Sequence, residues 1–138
     1  MSKRKEQERD YSHRSLLDKL GVKEESLVSV VGVEDADFLE QVRGRALKVS
    51  TTNILSNSDL IFYEANSLKE LKELKSLKQY IKSNGAIWAV SLKGKLATIK
   101  ELDVIAAAKV AGLVDNKVVA FSETHTSLRL VIPLSKRK

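Results

Sequence analysis

The sequence predicts a doubly wound, mostly parallel α/β sheet with helices on both faces, and three observations carry that expectation. Between Ser58 and Ser91 an apolar run, an amphipathic stretch and a second apolar run fit the length of one strand–helix–strand crossover. Such a unit is right-handed in nearly all proteins and makes its two strands parallel. Runs of buried-strand and of helical character alternate on either side of it, the pattern of a sheet covered on both faces. The chain then closes with two β-prone runs separated only by Ser122 to Ser127, which is too short for a crossover and makes an antiparallel hairpin.

Taken in order, residues 1–10 read as a mixed-charge disordered tail, 11–134 as a single domain and 135–138 as a basic tail. Tyr11 begins the domain, Ser12 or Ser15 can cap a short helix carrying Leu16, Leu17 and Leu20, and Gly21 ends it. Leu27, Val28, Val30, Val31 and Val33 make the first strand. After Glu34-Asp35 a helix runs to Gly44 with Phe38, Leu39 and Val42 inward, and a short strand follows at about 46–50. Ser50-Thr51-Thr52-Asn53 and Ile54-Leu55 lead to the central unit.

In that unit Leu60 to Tyr63 form a strand buried on both faces, and Ser67-Leu68-Lys69-Glu70 is a capping box that starts a helix at Leu68. Leu71, Leu74, Leu77 and Ile81 continue its apolar face, lysines 69, 72, 75, 78 and 82 fill the wet side, and Asn84-Gly85 is expected to end it. Ala86 to Val90 resume a buried strand, in which Trp88 is core with its indole N–H bonded to a neighbour. Leu92 to Lys95 read as a loop and Thr98-Ile99-Lys100-Glu101 as a second capping box. The helix behind it carries Leu102, Ile105, Ala106, Val110 and Ala111 and stops at Gly112. Val118 to Phe121 and Leu128 to Pro133 are the fifth and sixth strands, with the single proline at an end where its missing N–H costs least.

Composition excludes several activities. There is no cysteine among the 138 residues, hence no disulfide, thiol catalysis or Cys-ligated metal, and with two histidines no metal site is expected. No apolar run reaches the ~18 residues of a membrane span, so a cytoplasmic location and no membrane partner are expected. The net charge of +6 sits mostly in the tails: four basic against three acidic side chains in residues 1–10, and Lys136-Arg137-Lys138. Aromatics are not interleaved with basic residues as base-stacking surfaces require, and nucleic acid is not an expected partner.

The succession of strands and helices, ending in a hairpin, resembles a shortened Rossmann-like class I methyltransferase pattern over about residues 27–134. That resemblance implies the strand order 2-1-3-4-6-5. A second resemblance lies in the loops. Tyr11-Ser12, Leu17-x-Lys19-Leu20-Gly21-Val22-Lys23, Ala86-Ile87-Trp88-Ala89-Val90 with Lys93 beyond, and Gly112-Leu113-Val114-Asp115-x-Lys117-Val118 followed by Glu123-Thr124 are similar to the bacterial domain-of-unknown-function family 3052. The chain departs from that family's pattern at His125, where members often carry an aromatic, and at Leu92, where they often carry proline. The resemblance implies an architecture and no activity.

In an open doubly wound sheet, ligands bind beyond the carboxyl ends of the strands where the strand order reverses. Here that crevice falls between the first and third strands. Gly32, Glu34, Asp35 and Asp37 line one side, Glu64, Ala65, Asn66 and Ser67 the other, with Ser91 and Lys93 nearby. A dinucleotide or S-adenosylmethionine site needs a glycine-rich turn after the first strand, whereas this turn, Gly32-Val33-Glu34-Asp35-Ala36-Asp37, has one glycine and three carboxylates. The second strand ends in Ser50-Thr51-Thr52 rather than in a ribose-holding acid. The acidic residues read instead as favouring the positive N-terminus of the next helix.

Lys93 and Lys95 flank Gly94 and could contact an anion. Glu34, Asp35 and Glu64 could supply paired carboxylates, although spacing gives no distance between them. Glu123, Thr124, His125 and Ser127 are ordinary turn chemistry rather than a nucleophile triad, since no Gly-x-Ser-x-Gly elbow exists. No catalytic residue is assigned and no cofactor expected. The reading is a non-catalytic or vestigial methyltransferase-like binding or interaction module, with an unknown protein or a second copy as partner. The alternatives are a nucleotide-like ligand-binding protein or methyltransferase using S-adenosylmethionine or a nucleotide in the crevice, and a self-associating structural protein.

Overall fold

The computed structural model describes residues 15–137; the tail at 1–10, Tyr11, Ser12 and Lys138 lie outside the described residues. Ser15 caps the first helix, α1 (Leu16–Leu20), accepting from the Asp18 N–H, and Gly21 ends it. Then follow β1 (Leu27–Val31), α2 (Ala36–Arg45), β2 (Lys48–Ser50) and β3 (Ser58–Glu64). After these come α3 (Leu68–Leu71), α4 (Leu74–Leu77), β4 (Ile81–Leu92), α5 (Glu101–Val110), β5 (Val114–Ala120) and β6 (His125–Val131).

The six strands form one sheet in the order β2-β1-β3-β4-β6-β5, the order that the methyltransferase-like resemblance implies. β1 pairs in parallel with β2 and β3, and β3 with β4. β6 runs antiparallel between β4 and β5. The alternation of side chains along the strands gives each face its own core. On one face α1 and α2 cover Val28, Val30, Phe62 and Trp88, with Phe38, Phe62 and Phe121 in mutual ring contact at 4.7–6.5 Å. On the other, α3, α4 and α5 cover Ile61, Ile87, Ala89, Leu128 and Leu130. The Trp88 indole N–H donates to the Leu20 carbonyl at 3.0 Å, tying α1 to the centre of the sheet.

Two expectations are corrected. The helix after Ser67 does not run to Asn84: it breaks into α3, α4 and a 3₁₀ turn at Lys78–Tyr80, and Asn84-Gly85 lie inside β4. Gly85 is needed for close approach there, because a Cβ would stand 3.0 Å from the carbonyl oxygens of both Ser58 and Asp59. The β3–β4 register slips at this point, with Ser58 opposite Ile81 and Leu60 opposite Ala86. Asp59 fastens the irregularity by accepting from the Leu27 N–H at 2.8 Å and from Lys82 Nζ at 3.0 Å.

The second capping box is displaced. Asp103 accepts from the Lys100 N–H at 2.8 Å, while Thr98 turns its hydroxyl to the Asn66 carbonyl. The inward face of α5 is Val104 and Ala108, leaving Leu102 and Val110 at 74% and 82% exposure. Several strand and helix bounds also move by a few residues. β1 stops at Val31, α2 continues through Gly44 to Arg45, β5 begins at Val114, and β6 spans His125–Val131.

Candidate functional site

β1 is followed by Gly32, whose φ of +83° turns the chain sharply away from the sheet beside the backbone of Glu64. Val33 is buried on the first core, and Asp35 caps α2 by accepting from the Phe38 N–H at 3.0 Å. From β3, Glu64 points into the same space. Because β6 is antiparallel, its first residue, His125, stands at the carboxyl edge of the parallel strands, opposite Leu92. Phe121 and Thr124 come with it from the hairpin. These groups, with Gly32, Glu34 and Asp35, enclose a cavity of about 370 Å³.

Glu64 Oε2 is the polar centre of this crevice. It accepts from Asn66 Nδ2 at 2.9 Å and meets His125 Nε2 at 2.9 Å, while His125 Nδ1 lies 2.8 Å from the Thr124 hydroxyl. A neutral ring protonated on Nε2 satisfies both contacts, donating to Glu64 and accepting from Thr124. Asn66 is a bracket between strands: its Oδ1 accepts from the Leu92 N–H at 2.8 Å and its own N–H donates to Glu70 Oε1 at 2.7 Å. Ser67 caps α3 through the Glu70 N–H.

The structure thus brings together Gly32, Glu34, Asp35 and Glu64. Asn66 and Ser67 stand behind them, and Asp37 lies exposed in the first turn of α2. Ser91 and Lys93 line a separate cavity beneath α5, and Lys95 is exposed in a 3₁₀ turn, Gly94–Leu96. Phe121, Thr124 and His125 were not assigned to the crevice from sequence. The signal that places them there is topological, since a strand inserted antiparallel next to β4 must begin where β4 ends.

Two other features bear on the chemistry. Tyr63 donates its hydroxyl to the Glu70 carbonyl at 2.8 Å, and burial, with the nearby Glu70 and Glu73 carboxylates, pushes its pKa up to about 12. Among the described residues there is no cluster of three or more side chains able to hold a metal ion, and no helix is long and apolar enough to cross a membrane.

Solved structures share this architecture. A SAM-dependent methyltransferase from Aquifex aeolicus superposes with a TM-score of 0.65 at 17% identity, covering 93% of this chain and 96% of that one. The fold is methyltransferase-like. A putative type 11 methyltransferase from Sulfolobus solfataricus gives 0.64 at 16% identity, covering 94% and 96%. An O-methyltransferase of neocarzinostatin biosynthesis, in complex with S-adenosylhomocysteine and a dihydroxynaphthoic acid, gives 0.63 at 11%, covering 86% of this chain and 52% of its own. No family model and no curated protein matches, so the similarity to family 3052 stays a resemblance in loop residues. At these identities the methyltransferase-like match speaks for the fold alone.

Proposed function

We propose that the chain is a non-catalytic, methyltransferase-like binding module that does not take an adenosyl cofactor. The observation that carries this reading is the acidic lining of the crevice, whose cavity faces Glu34, Asp35 and Glu64. Glu64 is engaged by His125 and Asn66 across the mouth, and Glu34 and Asp35 stand beside it. Three carboxylates there oppose the carboxylate of a methionyl group or a pyrophosphate. The hydroxyl of Ser50, the last residue of β2, is turned back onto the Asn53 carbonyl, so the position from which an acid would hold a ribose offers none. The residues at this site do not fit S-adenosylmethionine, the cofactor the fold implies, and no reaction step is assigned to it.

Thermal unfolding with S-adenosylmethionine, S-adenosylhomocysteine and ATP tests the reading. A ligand at 100 times its dissociation constant adds roughly 2.7 kcal/mol of stability, which for a domain of this size raises Tm by on the order of 10 °C. No shift is expected with any of the three. A saturable shift with either adenosyl compound overturns the proposal.

A further inference from the structure

We propose that the cavity beneath α5 is a binding site for a small zwitterion with a short aliphatic side chain, an apolar α-amino acid. This site goes beyond the crevice reading and lies on the opposite face of the sheet. Five polar residues are buried in the described chain, all serines. Four have hydroxyl partners: Ser26 accepts from the Lys23 N–H, Ser29 and Ser58 bond each other, and Ser127 donates to the Val119 carbonyl. Ser91, at 7% exposure, has none among the described residues. A buried hydroxyl without a partner costs about 1–3 kcal/mol, and so marks a place where something else supplies the bond.

Ser91 shares a face of β4 with Ile87 and Ala89, and it lines a cavity of about 180 Å³. That volume equals roughly six water molecules, enough for one small organic molecule and too little for a nucleotide. Its polar lining consists of one cation, Lys93, one anion, Glu101, and Ser91, Thr126 and Ser127, the last with its hydroxyl already given to the Val119 carbonyl. Neither charge is in an ion pair among the described residues, and the Thr126 hydroxyl has no protein partner there either. Ile99, Val104, Val118 and Leu128 make the walls. A carboxylate meets Lys93 and Ser91, an ammonium meets Glu101, and a branched hydrocarbon chain covers the walls. A simple anion leaves Glu101 opposed to it, and a simple amine leaves Lys93 so.

Isothermal titration of the full chain with L-valine and L-leucine tests this assignment, alongside 4-methylpentanoate, which lacks the ammonium, and 3-methylbutylamine, which lacks the carboxylate. Saturable one-site binding of an amino acid is expected, with each half-ligand weaker by roughly tenfold or more. Lys93→Met and Glu101→Gln alter part-exposed and exposed side chains and are expected to leave the fold intact, checked by circular dichroism. Each is expected to weaken amino-acid binding by roughly tenfold or more, as is Ser91→Ala. No saturable heat with either amino acid, equal binding of a half-ligand, or binding indifferent to both Lys93→Met and Glu101→Gln overturns the proposal. Because no adenosyl compound enters the measurement, its failure is independent of the crevice reading.

Discussion

Replacing Gly85 with alanine probes the irregular opening of β4. The new Cβ would stand 3.0 Å from the Ser58 and Asp59 carbonyl oxygens and 3.2 Å from the Lys82 nitrogen. All three are backbone atoms in a paired region, so none can swing aside as a side-chain tip would. Overpacking of this kind costs about 1–3 kcal/mol, and the reduced freedom of the unfolded chain returns about 0.4–1 kcal/mol. A net loss of about 1–2 kcal/mol follows, read as a fall in the urea midpoint at unchanged slope by circular dichroism. Gly85→Asn separates crowding from helix termination. At a left-handed helix end asparagine is the best substitute for glycine, whereas in the crowded strand it costs at least as much as alanine. An alanine variant as stable as the parent, or an asparagine variant clearly milder than alanine, would refute the close-approach argument.

Other perturbations follow from the same contacts. Trp88→Phe removes the donor to the Leu20 carbonyl and leaves a void at a fully buried site; a loss of about 1–3 kcal/mol in urea unfolding is expected. Asn66→Leu orphans the Leu92 N–H and one contact of Glu64, and a similar loss of about 1–3 kcal/mol is expected by the same assay. Leu102→Gln and Val110→Gln sit on the exposed side of α5 and should change stability by no more than about 0.5 kcal/mol, against about 1–3 for Val104→Ala. Tyr63 has a folded pKa raised from 10.0 to about 12, so its contribution is fully present below pH 10 and is lost as pH rises through about 12. Stability of the parent should therefore fall more steeply with pH across that window than that of Tyr63→Phe, and parallel curves would contradict the assignment.

The succession of elements and the closing hairpin were legible because apolar runs and connection lengths report them, and the strand order came with the methyltransferase-like resemblance that this succession carries. The break after Leu77 was not. Leu71, Leu74, Leu77 and Ile81 keep helical spacing across the junction, yet Ile81 is buried as the first residue of a strand. The inward face of α5 was not legible for a different reason. Leu102, Val104, Ile105, Ala106, Ala108, Val110 and Ala111 are apolar nearly all round the helix, so periodicity alone does not choose a face. At the crevice, Gly32, Glu34, Asp35 and Glu64 follow from strand ends. His125 required knowing which edge of the sheet the hairpin returns to. Ser91 and Lys93 were assigned to the same edge but lie under α5, because residue parity along β4 sends Ser91 to the face of Ile87 and Ala89.

The insertion of β6 between β4 and β5 has a consequence for the newborn chain. Translation at about 5–20 residues per second leaves several seconds between completion of Leu92 and completion of Val131. Through that interval the ladder groups of β4 from Ala86 to Leu92, which later pair with His125 to Val131, have no neighbour on that side. An uncovered apolar strand edge is a template for pairing with another chain. The hazard therefore belongs to the order of synthesis and not to the finished sheet, and it is greatest where ribosomes follow one another closely on the same message.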